Sequence, residues 1–173
     1  MSDPKLDETA VFLVNVLKQL LYAFDRLDAI ADSAVDGSPV KAFYLNSIYN
    51  YVALLFLLDG DKGKPMAGSA YPALQKHGLG VLLESMRELL AEPLGATTFG
   101  EVIRIFRNSA YVHPTYSRDD VKRVYKAVDM GLPENQTRWQ GLLHRLYDEV
   151  TDLAVTIARS TGRPLSDFGI TPG

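Results

Sequence analysis

Arg107, Asn108 and His113 are the residues of this chain whose types and spacing are best suited to chemistry on a phosphate group. Histidine titrates near neutral pH, so its imidazole can accept or donate a proton. Arginine binds phosphate through a planar pair of charge-assisted hydrogen bonds. An asparagine beside the arginine can orient the histidine or a phosphate oxygen. The segment from Arg107 to His113 is therefore the strongest candidate for a catalytic site.

The order of these residues resembles the motif of the HEPN superfamily. That motif has an arginine, a polar residue directly after it and a histidine a few positions further on, late in a helical bundle. Asn108 is the commonest kind of residue at its place in the motif. HEPN domains are small helical bundles, so the resemblance implies an all-α, HEPN-like fold. Beyond the motif, no residue-by-residue alignment is evident.

The resemblance also implies an activity: metal-independent cleavage of RNA through its own 2′-hydroxyl, in a homodimer whose two motifs face each other. His113 of one subunit would act as base and its mate as acid, while Arg107 holds the phosphate and Asn108 orients these groups. DNA would be spared, and no cofactor would be needed. HEPN nucleases occur in toxin, antiphage and RNA-processing systems, which implies a cognate antitoxin as a partner. Some members have lost catalysis.

The spacing of the motif poses a geometric problem. Residues six apart on an ideal helix point roughly 120° away from each other, so Arg107 and His113 would not share a helix face. Pro114 disfavours helical geometry at His113, which allows the histidine to turn back toward the arginine. A partner chain could also complete the site.

Basic residues are concentrated around the motif, at Arg104, Arg107, Arg118, Lys122, Arg123 and Lys126. Only Asp119 and Asp120 oppose them between Arg104 and Lys126, which leaves a local charge of +4 in a chain of net charge -3. Such a patch in an acidic protein would attract a phosphate backbone. We therefore expect the RNA to contact these basic residues outside the motif, with Tyr111 beside the motif also in reach.

A simpler explanation of both features is a structural one. An arginine and a histidine at a helix end can bind the last carbonyls and complement the helix dipole. A cluster of charges can be the solvated face of two ordinary helices. The chain would then be a non-catalytic helical module that binds a partner protein or a nucleotide. Exposure of Arg107 and His113 together in a dimer groove would favour the nuclease, and burial of either would favour the module.

Other residue groups are weaker candidates. His77 and His144 are expected at surface or edge positions, and the spacing of the histidines is not that of a metal site. Glu84 and Glu88 lie one helical turn apart, but no glutamate-to-histidine pair elsewhere would complete a di-iron site. We therefore expect no metal. Five tyrosines are expected to be half-buried packing residues rather than a base-stacking platform: Tyr44, Tyr51, Tyr71, Tyr111 and Tyr125.

The elements that position the motif are predicted from apolar periodicity. Residues at three- and four-residue spacing predict a long first helix over about 6–34: Leu13, Val14, Leu17, Leu20, Leu21, Phe24, Leu27 and Ala31. Ser38 and Pro39 open a second helix that runs to about Leu58. Its last two turns are apolar all round, which predicts a position at the bundle centre or in a subunit interface.

Further helices are predicted over about 79–91, from the capping box at 98–101 to Pro114, over 117–131 and over 133–162. No stretch alternates apolar and polar residues, and no hairpin signal links two strand candidates. The predicted fold is a single all-α bundle of five or six helices over residues 1–173. Its core is expected at about 6–162, followed by a flexible tail at 163–173.

The composition of the chain bears on its domain size, its compartment, its membrane association and its charge. The chain has 173 residues, of which 47% are hydrophobic, and this is enough to fill the core of one domain. The absence of cysteine and of a signal-peptide pattern suggests a cytoplasmic protein. The apolar run 51–58 is too short for a membrane span, which needs roughly 20 residues. With a pI near 5.6, any nucleic-acid site must be local.

Overall fold

The computed structural model describes residues 4–31, 39–56, 80–111, 122, 126–129 and 131–171, and within some helices it describes the backbone alone. These residues are mostly helical, which confirms the predicted all-α fold. The α-helices are α1 Pro4–Ala31, α2 Pro39–Phe56, α3 Gly80–Ala91, α4 Phe99–Tyr111 and α5 Pro133–Thr161. Strands β1 Pro93–Leu94 and β2 Thr97–Thr98 lie between α3 and α4, and a 3₁₀ helix, Leu165–Phe168, follows α5.

The helices pack around one apolar core. Helix α1 contacts α2 and α5, α2 contacts α4, and α3 contacts α4 and α5. Most of the described side chains of the predicted α1 stripe lie inside this core, and Leu17 and Leu20 are fully buried. Burial of each large aliphatic side chain contributes about 1.5–3 kcal/mol, so the shared core is the main source of stability. The fully buried side chains from the other helices include Ile48, Leu89, Ile103, Leu146 and Val150.

Helix α5 begins and ends where the sequence predicts. Pro133 occupies its first turn, where a missing N–H costs nothing. At the other end Gly162 has a left-handed φ of 65°. The Gly162 N–H donates to the Arg159 carbonyl, and the Arg163 N–H donates to the Ala158 carbonyl at 3.0 Å. This is a Schellman cap, which satisfies carbonyls that the helix itself leaves unpaired.

The hairpin between α3 and α4 contradicts the expectation that no hairpin links two strands. Strands β1 and β2 pair antiparallel, with Leu94 opposite Thr97. Gly95, at φ 61°, takes the position that glycine favours in a type II′ turn. Two residues per strand are too few to show an alternating pattern, so the sequence carries no strand signal here.

The hairpin turn lies directly against the segment that precedes α5. The Ala96 N–H donates to the Ala127 carbonyl at 2.7 Å. A Cβ atom added to Gly95 would lie 2.5 Å from the Ala127 oxygen and 2.7 Å from the Val128 Cα. The approach is close enough that only glycine fits at position 95.

The end of the chain also differs from expectation. Phe168, in the 3₁₀ helix, is fully buried and belongs to the core. The 3₁₀ helix packs against α1 and α5. The core therefore extends beyond the bound predicted near residue 162. A short apolar segment without helical periodicity gives no signal of such docking.

We expect Gly95→Ala to destabilise the fold far more than Gly162→Ala. Both glycines have a left-handed φ, but a Cβ at Gly162 would meet nothing within 4 Å. The left-handed backbone alone costs about 1 kcal/mol for alanine, and the clash at Gly95 adds an overpacking cost, for a total of about 2–4 kcal/mol. Urea unfolding followed by fluorescence of Trp139, the single tryptophan, measures both. Equal losses in the two variants would contradict the close contact at Gly95.

Candidate functional site

Helix α4, which carries the first part of the motif, is held firmly where it begins. The Thr98 hydroxyl accepts a hydrogen bond from the Glu101 N–H at 3.3 Å, as the predicted capping box requires of the threonine. Phe99, Val102 and Ile103 are buried. A Cβ added to Gly100 would lie 2.9 Å from the Leu90 carbonyl oxygen, so α4 starts in close contact with the end of α3.

The motif itself is only partly within the described residues. Arg107 and Asn108 belong to α4, and the described part of that helix ends at Tyr111. The side chains of Arg107, Asn108 and Tyr111, and the whole of His113, lie outside the described part of the chain. The distance between Arg107 and His113, and their joint exposure, therefore stay predictions.

Among the basic residues around the motif, Arg104 forms an ion pair within α4. Its guanidinium forms a bidentate ion pair with Glu101 one turn earlier, and the Nε–H donates to Oε2 at 2.8 Å. The two side chains are 36% and 37% exposed. The pair reduces the positive charge that Arg104 presents in the absence of a ligand.

The basic residues that follow helix α4 lie between Arg118 and Lys126. Lys122 and Lys126 are helical and exposed. Arg118 and Arg123 lie outside the described residues. After Lys126 the chain turns sharply, with Val128 buried and Asp129 at φ 47°. The Asn135 amide donates to the carbonyls of Val128 and Asp129, which secures this turn against the start of α5.

Every residue of the predicted site lies between Ala96 and Ala127, whose backbones are joined by the hydrogen bond at the hairpin turn. The segment from Ala96 to Ala127, which contains α4 and the basic residues, is thus joined at its two ends by this hydrogen bond. The contact brings Ala96 and Ala127, the two ends of that segment, together. Its geometry cannot be seen in the sequence, because it joins residues more than thirty positions apart.

An aromatic cluster joins α4 to α2 and α5. The Trp139 ring lies 5.5 Å from the Phe99 ring and 5.9 Å from the Tyr49 ring, in edge-to-face geometry in both cases. Such aromatic pairs contribute about 0.5–1.5 kcal/mol beyond the area they bury. The first residue of α4 is therefore anchored by Trp139 of α5, which Tyr49 of α2 contacts in turn.

Two arginines of α5 converge on Glu92, a contact that sequence reasoning did not predict. Arg138 donates to Glu92 Oε2 at 2.7 Å and to the Pro93 carbonyl at 2.6 Å. Arg145 donates to Glu92 Oε1 at 2.8 Å. The hydrogen bond from Arg145 lowers the pKa of Glu92, and Arg138 adds to this, while partial burial opposes it. The cluster ties the junction of α3 and β1 to α5.

The lowered pKa of Glu92 predicts a pH-dependent contribution to stability. The contribution is fully present above the ordinary pKa of 4.5 and is lost as pH falls through the lower pKa of the folded protein. We expect wild type to exceed Glu92→Gln in free energy of unfolding at pH 6, with the difference shrinking as pH falls below 4.5. Arg145→Gln should raise the Glu92 pKa, which carbon-detected NMR titration would measure. A pKa unchanged by Arg145→Gln would contradict the assigned cause.

Three exposed aromatic residues in the described part of the chain were not singled out by the sequence. Tyr22 is 48% exposed, Phe43 is 57% exposed and Tyr147 is 36% exposed. Tyr22 lies outside the apolar stripe of α1. A residue off that stripe is expected to face solvent, so the sequence pattern could have identified Tyr22 as exposed. Tyr44 and Tyr51 are half-buried, which confirms the prediction for those two. Tyr71 and Tyr125 lie outside the described residues.

The weaker candidates show no site among the residues that the structure describes. His144 is exposed, as predicted, and Glu84 forms an ion pair with Arg87 of the same helix. In the described part of the chain no three histidine or acidic side chains are grouped as metal ligands would be. His77 lies outside that part. None of the described helices has the length and apolar character needed to cross a membrane.

Comparisons of the chain with protein-family models, with curated proteins and with solved structures find no match.

Proposed function

We propose that this protein is a metal-independent endoribonuclease of HEPN type that acts as a homodimer. The observation that carries the proposal is the run from Arg107 to His113, with Arg107 and Asn108 on helix α4 of an all-α fold. The proposal extends to a cytoplasmic toxin or antiphage system with a cognate antitoxin, which rests on the resemblance and on the lack of cysteine.

The proposed reaction uses the RNA as its own nucleophile. His113 of one subunit removes the proton of a 2′-hydroxyl, and the 2′-oxygen attacks the adjacent phosphorus. The bond to the 5′-oxygen breaks, and the second His113 donates a proton to that oxygen. Arg107 binds the negative charge that develops on the phosphorane, and Asn108 orients the reacting groups. The products are a 2′,3′-cyclic phosphate and a 5′-hydroxyl.

The anchoring of α4 supports this proposal. Reacting groups must be held to within about 0.5 Å, and sites on helices are more precise than sites on loops. The Thr98 cap, the buried Phe99 and the close contact at Gly100 hold the first turn of the helix that carries Arg107. The exposed Lys122 and Lys126 support an electrostatic attraction to RNA.

The decisive test is RNA cleavage by wild type and His113→Ala in excess chelator, with the end groups of the products identified. We expect cyclic-phosphate ends from wild type and a loss of rate of about 10²–10⁴-fold in the variant, since a general acid and base are both removed. His144→Ala is the matched control, because His144 is an exposed histidine on α5. It should cleave like wild type.

If the wild-type protein cuts none of a broad panel of RNAs, the nuclease proposal is wrong. The same follows if His113→Ala and His144→Ala retain equal activity, because the activity would then belong to another site or to a contaminant. The basic segment would in that case indicate a non-catalytic module that binds a partner protein or a nucleotide.

A further inference from the structure

The solvent-facing side of helix α1 combines an exposed ring with charges of both signs. Tyr22 is 48% exposed and lies at the centre of this side. At about 100° per residue, six further exposed residues lie within roughly 60° of Tyr22 around the helix. They are Asn15, Lys18, Gln19, Asp25, Arg26 and Ala29. These residues, with Tyr22, are called the outer face of α1.

The charges of the outer face are divided between its two sides. Lys18 and Asp25 lie roughly 40° and 60° from Tyr22 in one direction, and Arg26 lies roughly 40° from Tyr22 in the other. The Arg26 guanidinium carbon is 5.1 Å from the Tyr22 ring centroid, a cation–π contact. Neither Lys18 nor Asp25 forms an ion pair with another described residue. One side of the face therefore presents an exposed cation and an exposed anion.

The spacing of Lys18 and Asp25 makes this side complementary to itself. The two residues are seven apart, close to two helical turns, so they lie nearly in line along α1. In a two-fold dimer each contact occurs twice with its partners exchanged. For two antiparallel α1 helices, an axis midway between the two residues would place Lys18 opposite the partner subunit's Asp25, and Asp25 opposite the partner subunit's Lys18.

The same axis places the other residues of the face in compatible positions. It passes between Leu21 and Tyr22, so the two Tyr22 rings would meet near it, offset by about 1.5 Å along the helices. Two-fold symmetry sets each side of the face against the same side of the partner. Arg26 would then lie near the partner subunit's Asn15 and the partner subunit's Gln19, which are neutral amides. It would lie across the face from the partner subunit's Lys18.

We propose that a second copy of this chain docks on the outer face of α1, through two Lys18–Asp25 ion pairs around a central pair of Tyr22 rings. Charge complementarity favours this partner, because an identical face supplies an anion for Lys18 and a cation for Asp25 in one geometry. A polyanion would instead approach Asp25, and a polycation would approach Lys18. Phe43, 57% exposed and joined to Tyr22 through the Tyr44 ring, adds apolar area beside the contact.

This contact goes beyond the dimer of the proposed function. Helix α1 packs on α2 and α5, whereas α4, which carries Arg107, packs on α2 and α3. The outer face of α1 and the motif therefore belong to different helices, and a dimer formed through α1 does not use α4. A chain that uses both contacts assembles beyond a dimer.

The test exchanges charges across the contact and measures self-association of the full-length protein by sedimentation velocity. Lys18→Glu and Asp25→Lys each create two like-charge contacts, so we expect each to raise the dissociation constant at least about tenfold. The double variant restores opposite charges in reversed order and should associate within about threefold of wild type. An equimolar mixture of the two single variants should also associate, because each chain supplies the charge that the other lacks.

Asp28→Lys is the matched control. It makes the same change of charge on the same helix, but Asp28 is an exposed residue roughly 120° from Tyr22 and outside the outer face. Its dissociation constant should equal that of wild type. Tyr22→Ala should raise the dissociation constant about tenfold, whereas Tyr147→Ala, which removes a 36% exposed tyrosine of α5, should not. Because the substituted residues are exposed, the variants should fold, and circular dichroism verifies this.

Three results would overturn the contact. The first is a wild-type protein that stays monomeric up to about 100 μM. The second is self-association that is unchanged in Lys18→Glu and Asp25→Lys, because the oligomer would then use another surface. The third is a folded double variant that associates no better than the single variants, which would exclude the pairing of Lys18 with Asp25.

Failure of the nuclease proposal gives a different pattern. Self-association that responds to the charge exchange, in a wild-type protein that cuts no RNA, would retain the α1 contact and remove the nuclease. RNA cleavage that depends on His113, with self-association unaffected by the exchange, would retain the nuclease and remove the α1 contact.

Discussion

The hydrogen bond from the Ala96 N–H to the Ala127 carbonyl is the contact on which the candidate site depends. It joins the hairpin turn before α4 to the segment before α5, and all the predicted site residues lie between its two ends. A closed segment has far fewer arrangements than an open one of the same length, because its ends are already together. The need for glycine at position 95 follows directly, since any side chain there would push this contact apart.

Helix α5 stabilises both sides of that contact. Near its start, Trp139 packs on Phe99 and Tyr49, and Asn135 secures the turn that follows Lys126. Arg138 and Arg145 reach across to Glu92 and Pro93 at the beginning of the hairpin. The apolar contacts carry more of the stability than the charged ones, because Phe99 is fully buried whereas the arginines are about half exposed and screened by salt.

The proposed cleavage activity depends on how helix α4 is held. Cleavage chemistry requires a few groups in fixed geometry, and α4 is held at its first turn by a cap, a buried ring and a close helix contact. The net charge of -3 is compatible with the proposed cleavage of RNA, because positive charge is needed only where phosphates pass.

The sequence by itself determined the all-α fold class, the approximate bounds of the described helices, the buried stripe of α1 and the caps at Thr98 and Gly162. These are local properties, which a repeat of about 3.6 residues and the chemistry of helix ends make visible along the chain. Only the tertiary structure decided that residues 93–98 form a hairpin, that Phe168 enters the core, that two arginines bind Glu92 and that Tyr22 and Phe43 stay exposed. Each of these depends on which distant residues meet, and the pattern of a single segment does not contain that information.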